Sequence, residues 1–203
     1  MLNIIEQKVT TILRPTSINL APYVINPYQG CQMGCLFCYA RFSKQALKEK
    51  MAWGQYVYVK SNGIEVLREE FKAVRPQKVL LGSTTECFQP AEKKYRITES
   101  ILRLLNEQGI SYVILSRSLL IEEYIPLLKD GNCEAIYFTV DTLPDDMRKL
   151  LEPNSCAASG SIKVINKLSG NNIKVVAYFC PVMPWLFRMQ DAIDSLAATE
   201  KHF

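Results

Sequence analysis

Short runs of β-branched and aromatic residues alternate along the chain with segments whose apolar residues recur at helical spacing. The runs typical of strands are residues 23–25, 56–59, 79–82, 112–116, 136–140 and 174–179. The segments typical of helices are residues 39–51, 65–71, 98–108, 122–129, 145–151, 161–168 and 190–198. For the helix over 98–108, Thr98 and Glu99 are start signals and Gly109 is a stop signal.

This alternation is expected when crossover helices cover a mostly parallel sheet. The pattern contains five strand–helix units, which do not readily close a barrel. We therefore predict an α/β fold: an open, curved, mostly parallel sheet of repeated βα units with outer helices. Such a sheet is a partial TIM-type barrel of about five to six strands. No linker rich in glycine, serine or proline interrupts residues 1–203, so we expect a single domain whose abrupt end suggests a missing C-terminal portion.

Composition and charge exclude several classes of protein. The chain has 203 residues, of which 48% are hydrophobic and 22% charged, as in a folded chain with one substantial core. The net charge of +4 is too small to indicate nucleic acid or an anionic membrane as a partner. No apolar stretch approaches the roughly 18–20 residues of a membrane span, and no leader pattern is present, so we expect a cytoplasmic location. His202 is the only histidine, which argues against histidine-based catalysis or metal binding.

Three of the seven cysteines, Cys31, Cys35 and Cys38, lie within eight residues after the first predicted strand. An odd number and close spacing favour metal ligation in a reducing compartment over a disulfide framework. Thiolates suit iron–sulfur clusters or zinc, but a structural zinc ion usually needs four protein ligands. Gly30 and Gly34 would let the loop wrap a cluster, and three cysteines would leave one iron of a four-iron cluster without a protein ligand. A zinc knuckle, or three unrelated buried cysteines, is the alternative.

The pattern Cys-x-x-x-Cys-x-aromatic-Cys after a strand resembles the signature of the radical S-adenosylmethionine (SAM) superfamily. More narrowly, the chain is similar to the spore photoproduct lyase-like branch, also called DNA repair photolyase-like. The blocks that carry this second resemblance are residues 26–41, 57–62, 85–92, 151–153 and 181–184. The resemblance implies that Cys31, Cys35 and Cys38 hold a [4Fe–4S] cluster whose free iron is chelated by SAM. It also implies a 5′-deoxyadenosyl radical that abstracts hydrogen from a substrate, and an external flavodoxin- or ferredoxin-like electron donor.

The same resemblance implies contacts between SAM and residues at the carboxyl ends of the strands, where ligands bind in open parallel sheets. The ammonium group is expected near Ser83, Thr84, Thr85 and Glu86. The adenine is expected near Phe37, and the carboxylate or ribose near Ser116, Arg117 and Thr139. Each has a structural alternative: a polar strand end, a shielding phenylalanine, or a helix cap.

Several features leave the activity open. The family resembled more often has aspartate, proline and tyrosine where this chain has Glu86, Cys87 and Phe88. Cys87 could donate hydrogen to a substrate radical, or could simply pack. The substrate and the reaction are not implied beyond likeness to a lyase, and nucleic acid binding is unsupported by charge. The alternatives are a non-catalytic iron–sulfur remnant used in electron transfer and a zinc-stabilised binding module. We also expect self-association or a partner to cover the sheet edge at residues 174–179.

Overall fold

The structure is a computed structural model that describes residues 2–140 and 143–183, together with residues 190, 193, 194 and 197. Within these ranges the strands are β1 Asn3–Gln7, β2 Leu13–Pro15, β3 Tyr23–Ile25, β4 Tyr28–Gln29, β5 Tyr56–Lys60, β6 Lys78–Leu81, β7 Ser111–Ser116, β8 Cys133–Thr139 and β9 Val175–Tyr178. The α-helices are α1 Lys44–Lys48, α2 Gly63–Ala73, α3 Glu92–Tyr95, α4 Ile97–Glu107, α5 Ile125–Lys129, α6 Asp145–Leu151 and α7 Ala158–Ser169. Two 3₁₀ helices span Tyr39–Phe42 and Leu119–Tyr124.

Six strands form the main sheet in the order β2-β3-β6-β7-β8-β9. β2 runs antiparallel to β3, and every other neighbouring pair is parallel. Helices connect consecutive parallel strands, with α4 between β6 and β7, α5 between β7 and β8, and α6 and α7 between β8 and β9. The sheet is open, with β2 and β9 at its edges in the described part of the chain. The predicted α/β fold with an open, mostly parallel sheet is confirmed.

Both faces of the central strands are buried. One face packs against the helices in the main core, which includes Leu81, Ile114 and Leu102. The opposite face carries a smaller apolar cluster around Leu80 and Val113. Strands buried on two faces appear in a sequence as continuous hydrophobic runs, and this explains why those runs predicted the main sheet.

One predicted strand lies outside the main sheet. β5, predicted at residues 56–59 as part of the repeat, belongs to a separate three-stranded sheet in the order β1-β5-β4. It pairs parallel with β1 and antiparallel with β4. All five residues of β1 are exposed, so the strand has no buried face that would produce an alternating pattern. β1 was therefore not predicted, and β2 and β4, with three and two residues, are too short to show a period.

The predicted helices differ from the observed ones mainly in length and type. The segment 39–51 contains one 3₁₀ helix and the short α1, and the segment 122–129 contains the end of a 3₁₀ helix and α5. The segments 65–71, 145–151 and 161–168 are helical as predicted, in α2, α6 and α7. Most of the predicted helix over 190–198 lies outside the described residues. Among the helices that the structure does describe, none is both long and apolar enough to cross a membrane.

The start of α4 is capped by the carboxylate of Glu92 on the preceding helix, not by the side chains of Thr98 and Glu99, which the sequence suggested as start signals. The Glu92 carboxylate accepts hydrogen bonds from the backbone N–H groups of Thr98 and Glu99, each at 3.0 Å. The Thr98 hydroxyl donates instead to the Cys87 carbonyl at 2.6 Å. Free N–H groups at the first turn of a helix favour a negative partner, and Glu92 supplies it from α3. The predicted stop is correct, because Gly109 follows the helix with φ +66°.

We expect Glu92→Ala to destabilise the fold by about 3 kcal/mol, because hydrogen bonds to a buried charged acceptor are strong and their donors would be left unpaired. Besides the two N–H groups, the hydroxyls of Tyr28 and Tyr124 donate to this carboxylate, which is fully buried. A matched control is Glu69→Ala, which removes a carboxylate that is 70% exposed and pairs with Lys72 at 2.7 Å. Such a surface pair contributes about 0–1 kcal/mol. Equal losses of unfolding free energy in denaturant titrations of the two variants would contradict this assignment.

Candidate functional site

The cysteine loop, residues 30–38, connects β4 to the 3₁₀ helix at Tyr39–Phe42. It begins at Gly30, whose φ of +81° is rarely adopted by other residues. A Cβ atom at Gly30 would lie 2.4 Å from the Tyr56 carbonyl oxygen, so β5 packs directly against the start of the loop. Gly34, with φ +67°, turns the chain a second time between Cys31 and Cys35. The glycines therefore allow the tight path that the sequence pattern suggested.

The three cysteines form a small cluster with Met33, against which Phe37 and Trp53 pack. Cys31 and Cys35 are buried and Cys38 is half-buried. Two N–H groups donate to their sulfur atoms: the backbone N–H of Glu86 lies 3.4 Å from Cys31 Sγ, and Arg117 Nη1 lies 3.4 Å from Cys35 Sγ.

Burial raises the pKa of Cys31 to about 11 and the pKa of Cys35 to about 12. The backbone N–H of Glu86 acts in the opposite direction at Cys31, and the charge of Arg117 does so at Cys35. The free thiols therefore keep their protons at neutral pH, and a metal that binds them must release those protons.

This arrangement fits an iron–sulfur cluster. Cysteine thiolates hold such clusters, and hydrogen bonds to the sulfur atoms are part of how proteins tune them. Within the described ranges, no three His, Cys, Asp or Glu side chains are grouped so that they could hold one metal ion. In a cluster each cysteine binds a different iron atom, so the three sulfur atoms need not converge on one point. Ligation by Cys31, Cys35 and Cys38 stays a prediction, which the N–H donors and the burial support.

Two of the polar residues predicted to bind SAM lie at the carboxyl edge of β6. The Ser83 hydroxyl accepts a hydrogen bond of 3.2 Å from Asn26 Nδ2, and the Thr84 N–H donates to Asn26 Oδ1 at 3.0 Å. Thr84 is exposed. Thr85 is buried, and its hydroxyl donates to the Gly30 carbonyl at 2.6 Å. Ser83 and Thr84 are thus joined to Asn26, and their contact with SAM stays a prediction, whereas Thr85 fastens the β6 edge to the cysteine loop.

Glu86 and Ser116 are turned inward. The Glu86 carboxylate accepts hydrogen bonds from the Phe88 N–H at 2.9 Å, the Ser116 hydroxyl at 2.9 Å and the Arg117 N–H at 2.8 Å. Burial raises the pKa of Glu86, although these donors oppose the increase. A buried carboxylate needs donors, and those of Glu86 belong to the chain after β6 and to the end of β7, whereas contacts of Glu86 and Ser116 with SAM stay a prediction. Glu86 and Ser116 join those two strand ends.

Arg117 and Phe37 do meet at the cysteine loop. The guanidinium carbon lies 5.9 Å from the centroid of the Phe37 ring, within the range of a cation–π contact. Arg117 Nη1 also donates to Glu152 Oε2 at 2.6 Å, and Nη2 donates to the Cys180 carbonyl at 3.3 Å. Sequence reasoning did not assign a role to Glu152, although the Leu-Glu-Pro block at 151–153 was a usable signal. Thr139 ends β8 at the same edge of the sheet and is half-buried.

Cys87 lies in the main hydrophobic core and is fully buried. Its sulfur therefore lies inside the core and not at the surface formed by the carboxyl ends of the strands. Burial raises the pKa of this thiol well above its usual value. This placement favours the packing alternative over hydrogen donation to a substrate radical. All seven cysteines are unpaired.

Two proteins of other organisms have sequences similar to this chain over most of its length. A protein of Methanocaldococcus jannaschii described as uncharacterized is 30% identical over 189 residues, which cover 93% of this chain and 71% of that protein. An uncharacterized protein of Mycobacterium tuberculosis is 24% identical over 181 residues, and the match covers 86% of this chain but only 53% of that protein. The chain thus spans about half the length of the mycobacterial relative.

Solved structures show the same fold at low sequence identity. A mutant of spore photoproduct lyase superposes with a TM-score of 0.73 at 13% identity, covering 98% of this chain and 58% of that one. Another structure of that enzyme, with bound AdoMet and dinucleoside spore photoproduct, gives a TM-score of 0.70 at 13% identity, covering 99% of this chain and 58% of that one. A cobalamin-dependent SAM radical enzyme gives 0.54 at 11% identity, covering 86% of this chain and 26% of that one.

The sequence profile described as the Radical SAM superfamily matches residues 25–193, which include the whole cysteine loop and the parallel strands β6 to β9. Enzymes of this family use a [4Fe–4S] cluster and SAM, the cofactors that the cysteine pattern implied. They also require an electron donor and a substrate. By its matched residues and its fold, this chain belongs to the radical SAM superfamily.

Proposed function

We propose that this chain binds a [4Fe–4S] cluster through Cys31, Cys35 and Cys38 and cleaves SAM reductively. When bound, the cluster and SAM supply a 5′-deoxyadenosyl radical that abstracts hydrogen from a substrate. The observation that supports this function best is the buried three-cysteine loop, in which N–H groups of Glu86 and Arg117 donate to two of the sulfur atoms. Membership of the radical SAM superfamily supports the reductive cleavage of SAM, and the cysteine loop is the proposed binding site of the cluster.

In this proposal, residues around the cysteine loop bind and orient SAM and exclude water from the cluster. Phe37 and Trp53 cover the cysteine cluster, and Phe37 offers an aromatic face to adenine. The hydroxyl groups of Ser83 and Thr84, and that of Thr139 at the end of β8, are proposed to contact polar groups of SAM. Thr85, Glu86 and Ser116 hold the edge in place through the hydrogen bonds described above, and Arg117 brings a positive charge next to Cys35.

The test is anaerobic reconstitution with iron and sulfide, followed by incubation with SAM and dithionite in the absence of substrate. We expect a broad absorption at about 400 nm, typical of thiolate-ligated clusters, and release of 5′-deoxyadenosine. A protein that shows the absorption but releases no 5′-deoxyadenosine would be the electron-transfer alternative. A protein that binds zinc and shows neither would be the zinc-stabilised module.

We also propose the kind of electron donor and the location of the protein. The electron donor is a flavodoxin- or ferredoxin-like protein, and the location is cytoplasmic, which agrees with seven unpaired cysteines. A solved structure of spore photoproduct lyase is complexed with dinucleoside spore photoproduct, but a net charge of +4 gives little support to nucleic acid here, and the substrate stays open.

The edge of β9 is expected to be covered by a second copy or another protein, because Tyr178 in this strand is 39% exposed and an unpaired edge is prone to association. Light scattering that finds only monomers, with free exchange of the β9 amides that do not bond to β8, would contradict this.

A further inference from the structure

The loop at residues 152–157, between α6 and α7, lies directly against the cysteine loop. The backbone N–H of Leu36 donates to the Leu151 carbonyl at 2.8 Å. Asn154 Nδ2 donates to the Gln32 carbonyl at 2.6 Å, across a separation of 122 residues in sequence. These bonds satisfy backbone groups of the cysteine loop that have no partner in a helix or strand. The path of the cysteine loop thus depends on the end of α6 and the residues that follow it.

A buried ion pair continues this contact to the sulfur atoms. Glu152 Oε2 lies 2.6 Å from Arg117 Nη1, and their side chains are only 4% and 17% exposed. The same nitrogen atom lies 3.4 Å from Cys35 Sγ. Burying a guanidinium is costly unless it is paired, so Glu152 makes it possible for a positive charge to lie beside the cysteine. A further hydrogen bond fixes the orientation of the guanidinium, because Arg117 Nη2 donates to the Cys180 carbonyl at 3.3 Å.

We propose that Glu152 is a positioning residue that holds Arg117 against Cys35 and compensates its charge, and that this pair sets the reduction potential of the cluster. The inference rests on the proposed function, since it needs a cluster bound through Cys35. Reduction adds one electron from the external donor to the cluster. An N–H donor and a positive charge at a ligand sulfur stabilise the reduced cluster, which carries one more negative charge, and so raise its reduction potential. A nearby carboxylate destabilises the reduced cluster and lowers the potential. The two members of the pair therefore act on the potential with opposite signs.

The first experiment measures the midpoint potential of the reconstituted cluster without SAM, by redox titration followed with electron paramagnetic resonance. Arg117→Met should make the potential more negative. Glu152→Gln should make it more positive, because the guanidinium keeps its other acceptor and loses its counter-charge. The matched control is the pair Lys167→Met and Glu122→Gln. It removes an ion pair of similar length, 2.7 Å against 2.6 Å, at sites where the side chains are 54% and 29% exposed. Neither control variant should shift the potential.

Shifts of the same sign in Arg117→Met and Glu152→Gln, or shifts no larger than those of the control pair, would overturn the proposal. A general loss of structure does not produce opposite signs, so this readout separates positioning from stability. Partial recovery of the wild-type potential in Arg117→Lys is expected, because lysine keeps the charge but not the fork of donors.

A second measurement distinguishes failure of this inference from failure of the proposed function. If the wild-type protein takes up no iron, the proposed function fails, and hydrogen exchange of the metal-free protein then tests Glu152 by itself. Glu152→Gln should speed exchange of the Leu36 amide relative to the wild type and to Glu122→Gln, because the ion pair with Arg117 becomes a weaker hydrogen bond to a neutral side chain. Unchanged protection of this amide would show that Glu152 does not hold the cysteine loop.

Discussion

Serine in place of Cys31, Cys35 or Cys38 is expected to abolish cluster uptake and 5′-deoxyadenosine release, whereas Cys133→Ser should retain both. Each of the three cysteines supplies one thiolate to a different iron atom, and serine is a much poorer ligand for iron in such clusters. We expect iron content and the absorption at about 400 nm to fall to near background in each of the three single variants.

Cys133 is the matched control because it is another half-buried, unpaired thiol at a different place in the fold. It begins β8, at the amino end of the parallel strands, whereas the cysteine loop lies at the carboxyl end. Circular dichroism of all four variants checks that they fold alike. Normal iron content in any of the three loop variants, or loss of iron in the Cys133 variant, would contradict the assignment of ligands.

Gly30→Ala is expected to destabilise the protein by about 3 kcal/mol and to lower iron uptake. A residue other than glycine in the left-handed region costs about 1–2 kcal/mol, and forced overpacking adds about 1–3 kcal/mol. Both costs apply at Gly30, where the new Cβ would lie 2.4 Å from the Tyr56 oxygen and 2.7 Å from its ring. Either the cysteine loop or β5 must shift, and Cys31 follows immediately after the substituted residue.

Gly109→Ala separates backbone strain from steric conflict. Gly109 has φ +66°, but a Cβ there would meet no atom within 4 Å. This variant should therefore lose only about 1 kcal/mol and keep the wild-type iron content. Denaturant titration gives the two free energies of unfolding, and colorimetric iron analysis gives the loading. Equal values for the two variants would show that the contact with Tyr56 does not restrict the loop.

The main sheet could be predicted because its strands are short, apolar and separated by helical segments. β6 to β9 are bounded by turns and lie where continuous hydrophobic runs predicted them. The smaller sheet could not be found in this way. β1 has no buried residue, and the two residues of β4 are too few to show any period. Their pairing with β5 is a tertiary contact, and no local pattern encodes it.

The cysteine loop was recognised because its chemistry lies in local spacing, which a sequence displays directly. Contacts between distant residues were missed for the opposite reason. Glu152 and Arg117 are 35 residues apart, and nothing near either residue indicates that they pair. The direction of a side chain is equally hidden: Glu86 was placed correctly at the end of β6, but its carboxylate turns inward to donors on β7. A sequence can place a residue at the edge of a sheet without showing which way it points.

The proposed function requires that the three cysteines hold a cluster with one iron open to SAM. Electron–nuclear double resonance of the reduced cluster, recorded with SAM labelled with ¹⁵N in its amino group, tests whether SAM binds that iron. Hyperfine coupling between the labelled nitrogen and the cluster is the predicted result, and it should be absent in a sample prepared without SAM. A cluster whose spectrum is unchanged by SAM and shows no coupling to the label would mean that SAM does not bind an iron of the cluster, and the proposed function would then be wrong.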